Sequence, residues 1–208
     1  MARHTGPVCR LCRREGIKLF LKGTRCDTPK CAIERRGTPP GMQPARRGKM
    51  TDYGTHLREK QKVKHYYGVL ERQFRHYFGQ AERSRGNTGE TLMSLLERRL
   101  DNVVHRLGFG QSRAQARQLV AHGHITVNGH RVDIPSYLLR PGDVIRVKNR
   151  KKSLQAVQAN LTETNRDVPD FLTRVDGAMP EGRVNRLPES MDVSIPVQTQ
   201  LIIELCSK

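Results

Sequence analysis

Between Thr88 and Val147 the chain carries two helix signals, a hairpin signal and a tight turn in fixed order, which narrows its fold more than any other stretch. The first helix is expected to start at Thr88, whose hydroxyl can cap, with Glu90 in the first turn favourably placed for the helix dipole. Leu92, Leu96, Leu100, Val103 and Leu107 recur at spacings of three and four, giving one apolar face that leaves Arg98, Arg99 and Arg106 outside, up to a stop at Gly108. Ser112-Arg113-Ala114-Gln115 then has the capping-box pattern, in which two polar side chains each satisfy an unpaired backbone amide. A second helix of about three turns follows and ends at Gly123, where a left-handed cap is expected. Ala116, Leu119 and Val120 can pack inward.

His124 to Val127 and His130 to Ile134 alternate, and the Asn128-Gly129 pair between them is the strongest two-residue hairpin signal. Arg140-Pro141-Gly142-Asp143 is a further turn, in which Pro fixes φ at one central position and Gly supplies a positive φ at the next. Val144 to Val147 reads as a strand. The unit is helix, helix, hairpin, strand, with a basic surface that suits RNA.

The basic character extends beyond this unit but is uneven. Over 208 residues Lys plus Arg number 38 against 20 acidic residues, a formal charge of +18. Residues 1–92 hold 21 basic and 8 acidic side chains, 93–150 hold 10 and 4, and 151–208 hold 7 and 8. A polyanion is the expected partner of the first two-thirds, while the near-neutral last part suits packing or a protein neighbour. No apolar run approaches the roughly 18 residues of a membrane span and no apolar signal region opens the chain, so a cytosolic protein without a membrane partner is expected.

Four of the five cysteines, Cys9, Cys12, Cys26 and Cys31, fall in the first 31 residues with the spacing C-x2-C-x13-C-x4-C. In a reducing compartment this reads as a metal knuckle rather than a disulfide framework. Zinc suits four thiolates, and an iron-sulfur cluster on the same residues is the alternative. Arg10, Arg13, Arg14, Arg25 and Lys30 surround the thiols and are expected to lower their pKa. Cys206, far along the chain, reads as an apolar filler.

Between Arg35 and Lys49 there are three prolines, three glycines and five basic residues, too little apolar material for a core. This is an extended arm laid on phosphates or a free linker. Asp52 to Tyr66 reads as a helix with Leu57, Val63 and Tyr67 inside and Arg58, Lys60, Lys62 and Lys64 available to solvent or phosphate. It breaks at Gly68, and a second helix through Phe78 places Leu70, Phe74, Tyr77 and Phe78 in the core. Ser153 to Leu161 has helical spacing, a Pro-interrupted segment runs through Pro169, Pro180 and Pro188, and Gln200 to Leu205 reads as a strand.

The fold class is therefore α+β: a metal-knuckle N-terminal extension, a helical domain, and a helix-helix-β-hairpin RNA-binding module in a small antiparallel sheet domain. The expected divisions are 1–48 for the knuckle and basic arm and 49–92 for the helical domain, with room for part of the C-terminal tail. Residues 93–187 form the module with its sheet and following helix, and 188–208 a tail with the final strand. RNA contacts are expected from Arg99, Arg113, Gln115, Arg117, Asn128 and Arg131 on the module. In the amino-terminal half they are expected from Arg10, Arg13, Arg14, Arg35, Arg36, Arg46, Arg47, Arg58, Lys60, Lys62 and Lys64. The start of the second module helix helps, because its free amides attract phosphate.

Motifs for nucleotide hydrolysis, nucleophilic catalysis or zinc proteolysis are absent, so no enzyme is expected. Asp101 follows Arg99-Leu100 as the catalytic aspartate of pseudouridine synthases does, but it lies inside the module's own helix and reads as a surface or locally ion-paired residue. His122 and His124 read as RNA contacts or local hydrogen-bonding groups rather than metal ligands. A sequence-specific zinc-module regulator is the rival binding class, and it would need a recognition helix after the knuckle.

The words Arg99-Leu100-Asp101-Asn102-Val103-Val104, Ser112 to Val120 and His122 to Gly129 resemble the bacterial family of small ribosomal subunit protein four. So do Gly6-Pro7-Val8-Cys9-Arg10-Leu11-Cys12, Pro39-Pro40-Gly41, Tyr67-Gly68, Arg186-Leu187-Pro188 and Leu201-Ile202-Ile203-Glu204. Phe171, Thr199 and Cys206 depart from the family's usual Trp, Glu and Tyr. The resemblance implies direct, early binding to 16S-type rRNA and nucleation of the 30S body. It also implies contact with neighbouring small-subunit proteins, chiefly protein five, at an interface linked to translational accuracy, and in some members repression of their own mRNA.

Overall fold

A computed structural model describes residues 4–42, 49–164 and 167–207. In chain order it has α1 (Cys9–Glu15), α2 (Ala32–Arg35), α3 (Asp52–Tyr67), α4 (Glu71–Arg83), α5 (Thr88–Glu97), α6 (Leu100–Arg106) and α7 (Arg113–Ala121). Then come β1 (Ile125–Val127), β2 (His130–Arg131), β3 (Val144–Val147), α8 (Lys151–Thr164), β4 (Leu172–Val175), β5 (Glu181–Val184) and α9 (Thr199–Cys206). The chain divides into two compact units, Met1–Leu92 with Ile195–Lys208, and Met93–Ser194.

In the first unit α3 starts at Thr51, whose hydroxyl accepts from the Gly54 amide, and stops at Gly68 in the left-handed conformation. Val63, Tyr66, Tyr67, Phe74, Tyr77 and Phe78 are buried, but Leu70 is exposed because it stands as the N-cap of α4 rather than inside it. The expected final strand is instead the helix α9, packed on α3. A short apolar run has no period to tell strand from helix. The helix buries Ile202 completely and lets Gln200 Nε2 donate to Glu204 Oε1 one turn on at 3.1 Å.

The expected long helix from Thr88 is two helices, α5 and α6. Its cap is Asn87, not Thr88: the Asn87 Oδ1 accepts from the Gly89 amide at 2.9 Å. The break falls at Arg98-Arg99, where the backbone pairs with residues 135–139: Leu139 N donates to Arg98 O, Leu100 N to Tyr137 O and Asp101 N to Pro135 O. These tertiary hydrogen bonds replace helical ones, a choice that periodicity does not report. The Ser112 cap is present, but Gln115 Oε1 accepts from Gln111 N rather than from Ser112, so only half of the capping box forms.

The sheet is antiparallel throughout, in the order β2-β1-β3-β5-β4. Asn128 and Gly129 join β1 to β2 at φ 50° and 83°, the geometry of a type I′ hairpin. The β4–β5 hairpin lies in what reads as a Pro-interrupted segment, since Pro169 and Pro180 flank the strands instead of breaking them. Gly182 on β5 has no Cβ for a reason: one would stand 2.3 Å from Leu107 Cδ1. Leu107 therefore seats α6 on the sheet, over a core of Leu100, Val103, Phe109, Val120, Ile125, Ile145, Val157 and Phe171.

Candidate nucleic-acid interface

The four amino-terminal cysteines meet in one place. Cys9 and Cys12 lie one turn apart on α1, Cys26 sits in the 3₁₀ turn Gly23–Asp27, and Cys31 is the N-cap of α2. All four line one small cavity of about 20 Å³ with Val8, Leu21, Ala32 and Ile33, room for a single atom-sized occupant. The Lys22 amide donates to Cys26 Sγ at 3.4 Å, and the Leu19 backbone hydrogen-bonds to Cys12. Four sulfurs around one such space, with amide donors on two of them, suit a tetrahedral thiolate ion. As the side chains stand, no three potential ligands among the described residues are in metal-holding geometry. For Cys12 and Cys26 the expectation of a lowered thiol pKa is corrected: burial pushes both up, and the neighbouring sulfurs push the same way.

Most of the module's expected RNA contacts turn inward. Arg99 is wholly buried and forks onto Asp101, Nε to Oδ1 at 3.0 Å and Nη2 to Oδ2 at 2.6 Å. Arg117 Nη1 reaches the same carboxylate at 3.0 Å, so Asp101 is the locally ion-paired residue expected. Arg113 is buried with Nε donating to Asn102 Oδ1 at 3.0 Å, and Asn102 Nδ2 donates in turn to Glu97 Oε2 at 2.6 Å. Arg106 also pairs with Glu97, at 2.9 Å. A buried carboxylate needs a cation and donors around it, and Asp101 and Glu97 recruit the arginines that helical spacing leaves outside.

Gln115 is likewise internal, since its Nε2 donates to Asn160 Oδ1 at 3.3 Å. Asn128 is exposed but holds the turn: its Oδ1 accepts from Val144 N at 2.9 Å and its Nδ2 donates to Asp143 at 2.8 Å. The α3 cations expected to face phosphate are also paired. Arg58 meets the buried Glu15 carboxylate at 3.2 Å, Lys60 and Lys64 meet Glu71 at 2.6 and 2.7 Å, and Lys62 pairs with Glu59. Burial raises the Glu71 carboxyl pKa, but hydrogen bonds from Lys60, Lys64 and Arg75 outweigh it and bring the pKa to about 2. Arg13 donates to the carbonyls of Thr38 and Pro39, tying down the start of the arm. Arg10, Arg14, Arg35 and Arg36 are exposed, and Arg46 and Arg47 lie outside the described residues.

A cationic rim remains on the module. Arg131 is exposed, with Asp133 at 3.6 Å, and its guanidinium lies over Gly123, where a Cβ would approach Nε to 2.3 Å. His124 Nδ1 is 3.0 Å from Ser153 Oγ in the first turn of α8, and Lys148 N donates to His124 O at 2.8 Å. The His122 and His124 rings lie 6.2 Å apart, and burial first, then the charges of His122, Arg150, Lys148 and Arg131, hold the His124 pKa below its ordinary value. Lys148 and Arg150 were not among the expected contacts. Their signal is the basic run Lys148-Asn149-Arg150-Lys151-Lys152 directly after the last strand of the Thr88–Val147 unit.

Residues 3–97 match the ribosomal protein S4/S9 N-terminal domain, and residues 98–145 match the S4 domain. The chain is 58% identical over 208 residues to the small ribosomal subunit protein uS4 of Thermoanaerobacter sp. (strain X514), covering all of both chains. It belongs to the uS4 family. It is also 56% identical over 209 residues to uS4 of Thermodesulfovibrio yellowstonii and 54% identical over 208 to uS4A of Symbiobacterium thermophilum, again over the whole of each. Members of the uS4 family are structural rather than catalytic, in agreement with an Asp101 committed to Arg99 and Arg117. Among the described residues no helix is long and apolar enough to cross a membrane.

Proposed function

We propose that this chain is a structural constituent of the small ribosomal subunit, working in the cytoplasm, that binds 16S-type rRNA directly and early and helps nucleate the 30S body. The observation that carries this reading is the basic surface of the module outside its buried ion pairs: Arg131 over Gly123, between His122 and His124, and Lys148, whose amide donates to His124 O, with the exposed Arg150 two residues on. Cations held on a rigid module neutralise phosphates at defined positions, so RNA shape rather than base edges is what they read. Contact with neighbouring small-subunit proteins, chiefly protein five, and a share in translational accuracy belong to the same proposal, as does binding of its own mRNA.

The four cysteines are proposed to hold Zn²⁺, with an iron-sulfur cluster as the alternative that metal analysis separates. Closed by four sulfurs, the ion would supply shape and no open position for chemistry. The test of the RNA reading is titration of the purified protein with a folded small-subunit rRNA fragment and an equal-length control RNA across salt. A preference for the fragment that survives physiological salt is expected, with about 0.7–0.9 in the log–log salt slope for each phosphate contact. Equal binding to both RNAs would remove the specific partner and leave only the charge.

A further inference from the structure

We propose that Phe20 is a stacking platform for one unpaired RNA base, flanked by Lys22 and Arg25 for the adjoining phosphates. The proposal rests on the RNA-binding reading above and adds to it a residue and a mode of contact. Phe20 lies between α1 and the 3₁₀ turn, with the wholly buried Leu19 before it and Leu21, which lines the cysteine cavity, after it. Its φ is 50°, the left-handed region that a bulky side chain rarely adopts. The same segment uses glycine at its other two positive-φ positions, Gly16 and Gly23.

Glycine or asparagine at position 20 would serve the backbone at lower cost. The aromatic ring is therefore what the position supplies. It does not supply it to a core, because the ring is exposed while the chain's other four phenylalanines, Phe74, Phe78, Phe109 and Phe171, are all buried. Lys22 and Arg25, two and five residues on in the chain, are exposed although both border the cysteine cavity, and residues 4–40 carry nine basic side chains against three acidic ones. An exposed ring on a segment this basic matches a nucleobase with its phosphates, where a purely apolar partner would leave that charge unanswered.

The chain has no tryptophan, so Phe20→Trp in the full-length protein places a single indole at the platform. On saturation with the folded rRNA fragment, its fluorescence is expected to be quenched by the stacked base, with affinity kept. Phe20→Gly is expected to bind about tenfold more weakly, the equivalent of about 1.4 kcal/mol, while melting at or above the parent temperature because glycine relieves the backbone. Full binding by Phe20→Trp without quenching, together with unchanged affinity of Phe20→Gly, would overturn the platform and leave RNA binding standing. A Phe20→Gly affinity loss that tracks a lower melting temperature, without quenching in Phe20→Trp, would assign the ring to the fold and also overturn it. Failure of the parent to prefer the fragment over control RNA would overturn both readings.

Discussion

The cysteine segment, residues 9–35, and the module built from α6, α7 and the sheet reach fixed shapes by opposite means. The module has more than a dozen buried apolar side chains in one cluster and, beside them, carboxylates that draw arginines inward. The cysteine segment has one fully buried aliphatic side chain, Leu19, and otherwise buries three of its four thiols and the Glu15 carboxylate. Burying one leucine is worth about 2 kcal/mol, far below the cost of ordering such a segment. The difference teaches where positive charge can act: in the module an arginine is first a structural residue, whereas in the cysteine segment most arginines stay at the surface.

The largest effect that would sharpen this contrast is removal of sulfur. Cys26→Ser with Cys31→Ser should abolish stoichiometric metal in elemental analysis and remove about 10 kcal/mol of binding free energy from the segment. Amide exchange should then show residues 9–35 unprotected while the module stays protected. Persistent protection without metal would show that the segment holds itself together, and the contrast would break.

Next is Asp101→Ala. It takes from the buried Arg99 the carboxylate its guanidinium forks onto and should cost about 3–5 kcal/mol in denaturant unfolding. For the same reason, replacing Arg113 and Arg117 together should destabilise the module as well as alter RNA affinity. A cost below about 1 kcal/mol for Asp101→Ala would show that the network follows the fold without supporting it.

Glu71→Gln tests the first unit. Its carboxyl falls from 4.5 to about 2 in the folded state, so its stabilisation is complete above pH 4.5 and is lost as the pH falls toward 2. The side chain is 39% exposed, so solvent screening reduces the effect to about 1 kcal/mol at neutral pH. The variant should show a flatter acid limb in thermal melts, and an unchanged limb would place the acid sensitivity elsewhere. The smallest effect on stability is expected from Arg150→Ala, within about 0.5 kcal/mol, yet it should lower the salt slope of RNA binding by about 0.7–0.9. An unchanged slope would take Arg150 off the interface.

The order of elements from α7 to β3 was legible because each boundary is written locally: Ser112 caps, Gly123 ends, Asn128-Gly129 turns, and Pro141-Gly142 turns again. What was not legible is what distant chain imposes. The pairing of residues 98–101 with 135–139 breaks a helix whose apolar period is uninterrupted. The docking on α3 makes α9 a helix where the run Leu201-Ile202-Ile203 alone has no period. The candidate site suffered the same way, since nothing in the local words tells an arginine that faces phosphate from one that faces Asp101. Lys148 and Arg150 were in plain view as a basic run but fell just outside the unit's last recognised strand.

The membership of α9 in the first unit has a consequence in time. Residues 1–92 leave the synthesising ribosome before the second unit, yet their unit includes Ile195–Lys208, which are made after it, and Ile202 is one of its wholly buried side chains. The second unit, contiguous from Met93 to Ser194, has every residue it needs before α9 exists. A nascent chain would therefore finish its middle before its beginning, the reverse of the usual amino-terminal precedence, and the partner surface of α3 would stand uncovered until the final helix arrives.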